Sequence, residues 1–266
     1  MNKITVYGED IKIENKEGIE VSIGEASKFL NVQSVKIKIL EDTDIVIDVS
    51  KVDIKLDFYI NVLKGVKANI YEYKHDGDYK FQYKYYLEEN SYLNIEKIND
   101  GQSIKEMTVV NLNGEEAKID FNLKTISKKD EKYNFLVYHN AKNTVSNIVN
   151  NGVNILDGEL EFNVSGFVSN GIIGCDINQS GRIINMTENP CTIKPNLFID
   201  EEDVVANHSA LIGTFSPDEI FYLMSRGISR KDSENLLTKG FLLNGITYYR
   251  KTLEEMINKY WRWDYA

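Results

Sequence analysis

The stretch GELEFNVSGFVSNGIIGCDINQSGRIINM, residues 158–186, decides the fold. Its apolar runs are very short and are broken by Gly, Ser or Asn. Leu160, Phe162 and Val164 alternate with polar residues, the period of a strand with one buried face. Short strands with Asn or Gly at the corners suit a β-helix, in which each rung is built from a few short strands. Asp76-Gly77, Asn113-Gly114, Asn151-Gly152, Asp157-Gly158 and Asn170-Gly171 are also the dipeptides of tight hairpins. With no strict repeat visible, periodicity alone leaves a β-sandwich open beside the β-helix.

The same period of two extends outward from this stretch. Val35, Ile37 and Ile39 alternate with Lys; Ile45, Ile47 and Val49 alternate with Val and Asp. Val52, Ile54, Leu56, Phe58 and Ile60 continue the pattern, and Ile119, Phe121 and Leu123 repeat it later. It persists to about residue 213 without a convincing long helix. A strand region of about 200 residues has to close into a barrel, sandwich or solenoid, because open edges invite aggregation.

At Ser216 the pattern changes. Ser216-Pro217-Asp218-Glu219 reads as a helix start with a capping box and Pro at the first helical position. Ile220, Leu223 and Met224 share one face, and Gly227 ends the helix. Ser229 and Asp232 open a second helix, with Leu236 and Leu237 inward and Gly240 closing it. A third runs roughly from Tyr248 to Trp263, with Leu253, Met256, Ile257 and Tyr260 on one stripe. The chain thus divides into a β body, residues 1–213, and a small helical domain, residues 214–266.

Composition narrows the function classes. The chain has 266 residues and a formal net charge of −10, with no dense Lys/Arg block. Such a protein is a poor binder of nucleic acid or anionic membranes. The N-terminal residues lack the apolar core of a signal peptide, and no apolar run reaches membrane-spanning length. A cytoplasmic location is the expectation. A disulfide between Cys175 and Cys191 is then disfavoured, and these two with His75, His139 and His208 lack the spacing of a closed zinc site. No Walker A, Gly-x-Ser-x-Gly or His-Glu-x-x-His pattern occurs, so no enzyme is expected and any ATP use belongs to a partner.

The C-terminal third carries a resemblance. Lys194-Pro195-Asn196-Leu197, Asp203-Val204, Asn207-His208-Ser209-Ala210, Gly213 and the run Phe221 to Ile228 resemble the closing segment of the SufB/SufD family of iron–sulfur cluster assembly proteins. The segment from Gly174, GCDINQSGRIINM, resembles that family's Gly-x-Asp-x-x-Gln-x-x-Arg strand pair. The resemblance implies a right-handed parallel β-helix with a C-terminal helical domain. It implies pairing through the β-helix end with a SufB-like chain or a second copy, and docking of a SufC-like ABC-type ATPase on the helices. No tightly bound cofactor is implied; a transient iron or iron–sulfur cluster is. SufB-like chains carry Glu and Cys where this sequence has Ser209 and Gly181, and SufD-like chains carry a Cys where it has Ala206. The histidine persists without the thiol, which favours a SufD-like subunit.

Site candidates follow from this resemblance. His208 is the candidate iron contact, since neutral imidazole ligates iron; its plain alternative is a turn histidine bonded to backbone. Cys191 and Cys175 supply the soft ligand type of iron–sulfur chemistry, or serve as small apolar residues. Phe215, Phe221, Tyr222, Arg226, Gly227 and Ile228 are the candidate ATPase contacts, although Arg226 and Gly227 also suit a helix C-terminus. Trp261, Trp263 and Tyr265 cover the helical core or form a contact edge. The rivals are a carbohydrate-active or carbohydrate-binding β-helix protein and a structural subunit without iron handling.

Overall fold

Residue alternation resolves into two long sheets. The computed structural model describes residues 1–27, 32–52 and 55–262. Among these, seventeen strands and three helices follow in order. The strands are β1 (Asn2–Tyr7), β2 (Asp10–Glu14), β3 (Ile19–Ser27), β4 (Val32–Ile39), β5 (Thr43–Ser50), β6 (Lys55–Val62), β7 (Lys67–His75), β8 (Tyr79–Leu87), β9 (Tyr92–Asp100), β10 (Ile104–Leu112), β11 (Lys118–Ser127), β12 (Glu131–His139), β13 (Val145–Asn154), β14 (Leu160–Val168), β15 (Cys175–Asn185), β16 (Cys191–Ile199) and β17 (Val204–Gly213). The helices are α1 (Pro217–Ser225), α2 (Arg230–Leu242) and α3 (Arg250–Arg262).

From β5 onward, odd strands stack in one sheet and even strands in the other, each parallel to its neighbours two strands away. The result is a parallel β-solenoid of about 7 turns. The sandwich alternative is thereby excluded. The repeat hides in the sequence because rung length drifts. Asn69 and Asn94 stack 25 residues apart, whereas Asn147 and Asn178 stack 31 apart. Only the corner geometry recurs. Gly65, Asn90, Glu116, Asn143 and Gly174 all hold left-handed φ between 56° and 74°. The first four donate their amides to the carbonyl just before the counterpart on the next turn, as in Asn90 N to Glu115 O and Glu116 N to Lys142 O, and Gly174 N donates to Asp203 O. Gly and Asn adopt this conformation most readily.

The first turn departs from the expected parallel stacking. β2 pairs antiparallel with β1, and β3 pairs antiparallel with β4. These hairpins turn the chain back at the N-terminal end, and β2 and β3 are the outermost strands of their sheets there.

The lumen is mostly aliphatic and aromatic, but one layer is charged. Glu72, Lys74, Lys97 and Glu106 point inward from β7, β9 and β10 and are buried. Lys97 Nζ lies 2.7 Å from Glu106 Oε1, Lys74 Nζ 3.0 Å from Glu72 Oε1, and Lys74 also bonds Glu106. Tyr83 OH donates to Glu72 at 2.5 Å. The two ammonium groups hold the Glu106 carboxyl down at about 2 against its burial.

The helices do not hang from the solenoid. They cover the outer face of the odd-strand sheet, where Ile98, Ile126, Val153 and Ile184 pack with Leu253, Met256, Ile257, Tyr260 and Trp261. Glu96 accepts from Thr247 N at 2.8 Å, Thr247 Oγ1 at 2.6 Å and Tyr248 N at 3.2 Å. Lys128 Nζ bonds both Asp100 Oδ1 (2.7 Å) and Tyr260 OH (2.6 Å).

Several local readings change. Ser216 precedes α1 but its side chain caps nothing, so no capping box forms there. Ser229 does cap α2, accepting from Asp232 N. Gly240 lies inside α2, which runs to Leu242 because Leu242 is buried against the solenoid. Leu236 is exposed while Leu237 packs inward. Trp261 is buried, and Trp263 and Tyr265 lie outside the described residues.

Two stability outcomes follow. Glu106→Gln leaves two buried ammonium groups short of counter-charge and is expected to cost about 3–5 kcal/mol, read by urea unfolding at neutral pH. The depressed Glu106 pKa contributes stability above the unfolded value of ~4.3 and loses it as pH falls toward 2, so this part of the acid slope should vanish in the variant. Glu131 has the opposite sign. Burial pushes its carboxyl up to about 7, although it accepts from Thr125 Oγ1 and Tyr133 OH. Wild-type stability should therefore decline as pH rises from about 4.5 to 7, and Glu131→Gln should flatten that decline in the same unfolding series.

Candidate functional site: the open end of the solenoid and the helical face

The last rung is built unlike the first. β17 and β16 are the terminal strands of their sheets, and no described strand pairs on their far sides. Asn207, His208, Ser209 and Ala210 lie in the middle of β17, so they form an edge strand rather than the expected turn. The reason is register: Asn207 stacks on Asn178, and Gln179 lies opposite His208.

Two side-chain columns run up the solenoid and stop at this end. On the odd sheet's outer face, Asn207 Nδ2 donates to Asn178, Asn178 to Asn147, and Asn147 to Asp120, at 3.2, 3.0 and 2.7 Å. On the even sheet, the rings of Tyr138, Phe167 and Phe198 stack with centroids 4.7 and 4.9 Å apart. Phe198 is 55% exposed at the top of its column.

His208 faces the lumen side of this open rung and is exposed. Beneath it, Gln179 is 4% exposed; its Nε2 donates to Asn196 O at 3.2 Å, and its Oε1 has no partner. The other histidines are committed. His139 has both ring nitrogens on hydroxyls, Thr144 Oγ1 and Ser146 Oγ, and burial pulls its pKa down to about 4. His75 lies between Asp48 and Asp76.

The cysteines are not brought to His208. Cys175 is buried at the start of β15 opposite Val204, four residues from His208 along β17, or ~13 Å at the usual strand rise. Its thiol lies 3.3 Å from Thr144 Oγ1. Cys191 begins β16 in the other sheet, and burial pushes its thiol pKa up, which lowers its thiolate content. Among the described residues no group of three or more His, Cys, Asp or Glu is placed to hold a metal ion.

Next to the open rung, α1 presents Phe221 (73% exposed), Tyr222 (57%) and Met224, and α2 presents Leu236. The Arg226 guanidinium packs over the Tyr222 ring at 5.2 Å. Gly227, at φ 85°, closes α1 with its amide on Met224 O. Ile228 is half-buried, and Phe215 is buried beneath the helices, where it supports this surface rather than lining it. An apolar groove lined by Tyr222, Leu223, Leu236 and Leu237 has Asp218 and Glu219 at its rim.

The charged lumen layer and the helix anchors Glu96, Asp100 and Lys128 were missed in the sequence reading. A signal was present: the alternation Ala68, Ile70, Glu72, Lys74 places charges on an inward face.

Residues 58–241 match the family model for the SUF system FeS cluster assembly SufBD core domain. The chain belongs to the SufBD family. It is 32% identical to the iron–sulfur cluster assembly protein SufD of Bacillus subtilis over 148 residues, which are 54% of this chain and 34% of that protein. It is 40% identical to SufD of Escherichia coli over 48 residues, 18% of this chain and 11% of that protein. A SufBD family protein of Mycobacterium tuberculosis is 29% identical over 110 residues, 39% of this chain and 12% of that protein. The matched stretch thus spans about a third of the Bacillus subtilis relative and less of the others. SufD-likeness and the β-helix accord with the sequence reading. Among the described residues no helix is long and apolar enough to cross a membrane.

Proposed function

We propose that this SufBD chain is a SufD-like, non-catalytic subunit of a cytoplasmic iron–sulfur cluster assembly complex. It pairs through the β16–β17 end with a chain carrying a matching solenoid end, either SufB-like or a second copy. It docks a SufC-like ABC-type ATPase on α1 and α2. The observation that carries this reading is the β16–β17 end: two parallel strands of 9 and 10 residues with one unpaired edge each, the top of an amide ladder and the exposed Phe198, whereas the N-terminal end turns back in antiparallel hairpins. Uncovered edges of this length are templates for pairing. Iron or a nascent cluster is cargo here, with His208 contributing one ligand at the covered end.

ATPase docking is tested on α1. Removing the helices would strip the apolar cover from Ile98, Ile126, Val153 and Ile184, so point substitutions are cleaner. Phe221→Ser with Tyr222→Ser should leave the unfolding midpoint nearly unchanged, since both rings are exposed. Affinity for a SufC-like ATPase, measured by calorimetry, should fall tenfold or more, at ~1.4 kcal/mol per decade. Unchanged affinity places the docking site elsewhere.

Iron handling is tested at His208. His208→Ala should fold normally and retain ATPase binding, while the complex purified anaerobically with its Suf partners carries less iron and sulfide per chain. Wild-type iron content in that complex would leave the chain a structural subunit.

A further inference from the structure

We propose that the outer face of the even sheet is a separate contact surface that takes an acidic protein, one whose own surface carries carboxylates around an apolar centre. This face is distinct from the β16–β17 end and from α1 and α2, and the inference does not depend on how those are used.

Register builds the face. Lys80, Lys105 and Lys132 stand directly opposite one another on β8, β10 and β12. Lys55 holds the same position on β6, one residue before the Leu56–Phe81 pair. Neighbouring strands lie about 4.8 Å apart, so the column roots one lysine above another at that pitch. Its counter-charges sit at the two ends. Lys55 pairs with Asp57 at 3.5 Å and Lys132 with Glu161 at 2.8 Å; Glu161 also meets Lys194 of β16 at 3.3 Å. Between those ends Lys80 and Lys105 form no ion pair among the described residues, and neither do Lys36, Lys38 and Lys84 on the same face. Glu20 of β3, in register with Lys38, is the remaining carboxylate. Eight lysines thus stand against three carboxylates in a chain whose formal net charge is −10.

This arrangement costs stability. Like charges directly opposite in a ladder destabilise a sheet, and Lys105→Glu would replace two such contacts by attractive ones. What the column supplies in return is a local positive field, the property by which a partner of opposite charge is steered and selected.

The centre of the face is apolar. Met107 and Val109 of β10 and Leu136 of β12 point outward and are half-buried, with Val109 opposite Leu136 on one side and Lys84 on the other. Tyr138 continues this centre beside Leu136. The face is broad and flat rather than a cleft, and an apolar, aromatic centre within a charged rim is the anatomy of a protein–protein contact.

Two other anionic partners fit less well. Nucleic-acid bases need free ring faces on which to stack. Here Tyr138, Phe167 and Phe198 stack on one another, and Lys84 Nζ lies 5.3 Å over the Tyr59 ring. A flat anionic membrane would also press on the corner that follows β8 and β10, where Glu89, Glu115 and Glu116 are exposed. A folded partner can match the lysines and stop short of that corner.

The experiment uses the full chain at low salt and four labelled probes: poly-L-glutamate, a random glutamate–tyrosine copolymer, a thymidine oligonucleotide, and phosphatidylserine–phosphatidylcholine vesicles. The copolymer should bind tightest, and its affinity should fall as salt rises. Lys84→Glu with Lys105→Glu should weaken it tenfold or more. Lys118→Glu with Lys251→Glu makes the same change of net charge away from this face and should stay within twofold of wild type. Lys105→Glu alone should raise the urea midpoint at low salt, which shows that lost binding is not lost folding. Absence of copolymer binding, or equal loss in both double variants, overturns the proposal. Tighter binding of the oligonucleotide or the vesicles, lost in the Lys84/Lys105 variant, assigns the face to that other class and overturns it as well. Equal affinity for the two polypeptides removes the apolar centre from the contact. A wild-type dimer that the Lys84/Lys105 variant dissociates makes the face a contact between copies and also overturns it.

Discussion

Every rung of this solenoid depends on hydrogen bonds to the rung on either side. Parallel strands satisfy their backbone groups only through neighbours, so the stack has no internal place to stop. The fold therefore raises one question at each end, and the chain answers it twice, differently. At the N-terminal end it folds back, and β2 and β3 pair antiparallel with the first rung. At the other end the parallel stack stops without turning back, and β16 and β17 each keep one side unpaired. The functional reading grows from that difference.

The register that unites the rungs also organises chemistry along the axis. In-register stacking turns single residues into columns, such as the Asp/Asn ladder to Asn207 and the ring stack to Phe198. It also places Glu72, Lys74, Lys97 and Glu106 in one buried layer, where each charge is tolerable because its counter-charges arrive from the same rung and from the neighbouring one. The same register sets Gln179 under His208. A side chain in this fold is thus read by its column as much as by its neighbours in sequence.

The helices solve a separate problem. The outer face of the odd sheet bears Ile98, Ile126, Val153 and Ile184, too apolar to face water. α2 and α3 cover it, and Glu96, Asp100 and Lys128 pin them with hydrogen bonds into the sheet. α1, in contrast, buries none of its residues. The helical segment is anchored at one side and leaves Phe221 and Tyr222 outward at the other, which is the face proposed above for docking.

The sequence alone determined the strand period, the change to helices at Ser216, the stripe of α3 and the family motifs around His208 and Phe221. These are local properties: side-chain alternation, helix spacing and short motifs are written within a few residues. Alternation by itself did not distinguish parallel from antiparallel stacking, because rung length drifts and the dipeptides Asn113-Gly114 and Asn151-Gly152 serve a sandwich hairpin equally well; the family motifs pointed to the parallel β-helix. Nor did it show that Asn207 to Ala210 is an edge strand, that Phe215 is buried, or that Cys175 and Cys191 begin strands in different sheets away from His208. Those facts depend on which residues 25 to 31 positions apart come into register. Only the closed stack of rungs fixes that register, because backbone pairing is satisfied there for all rungs together and not for any segment by itself.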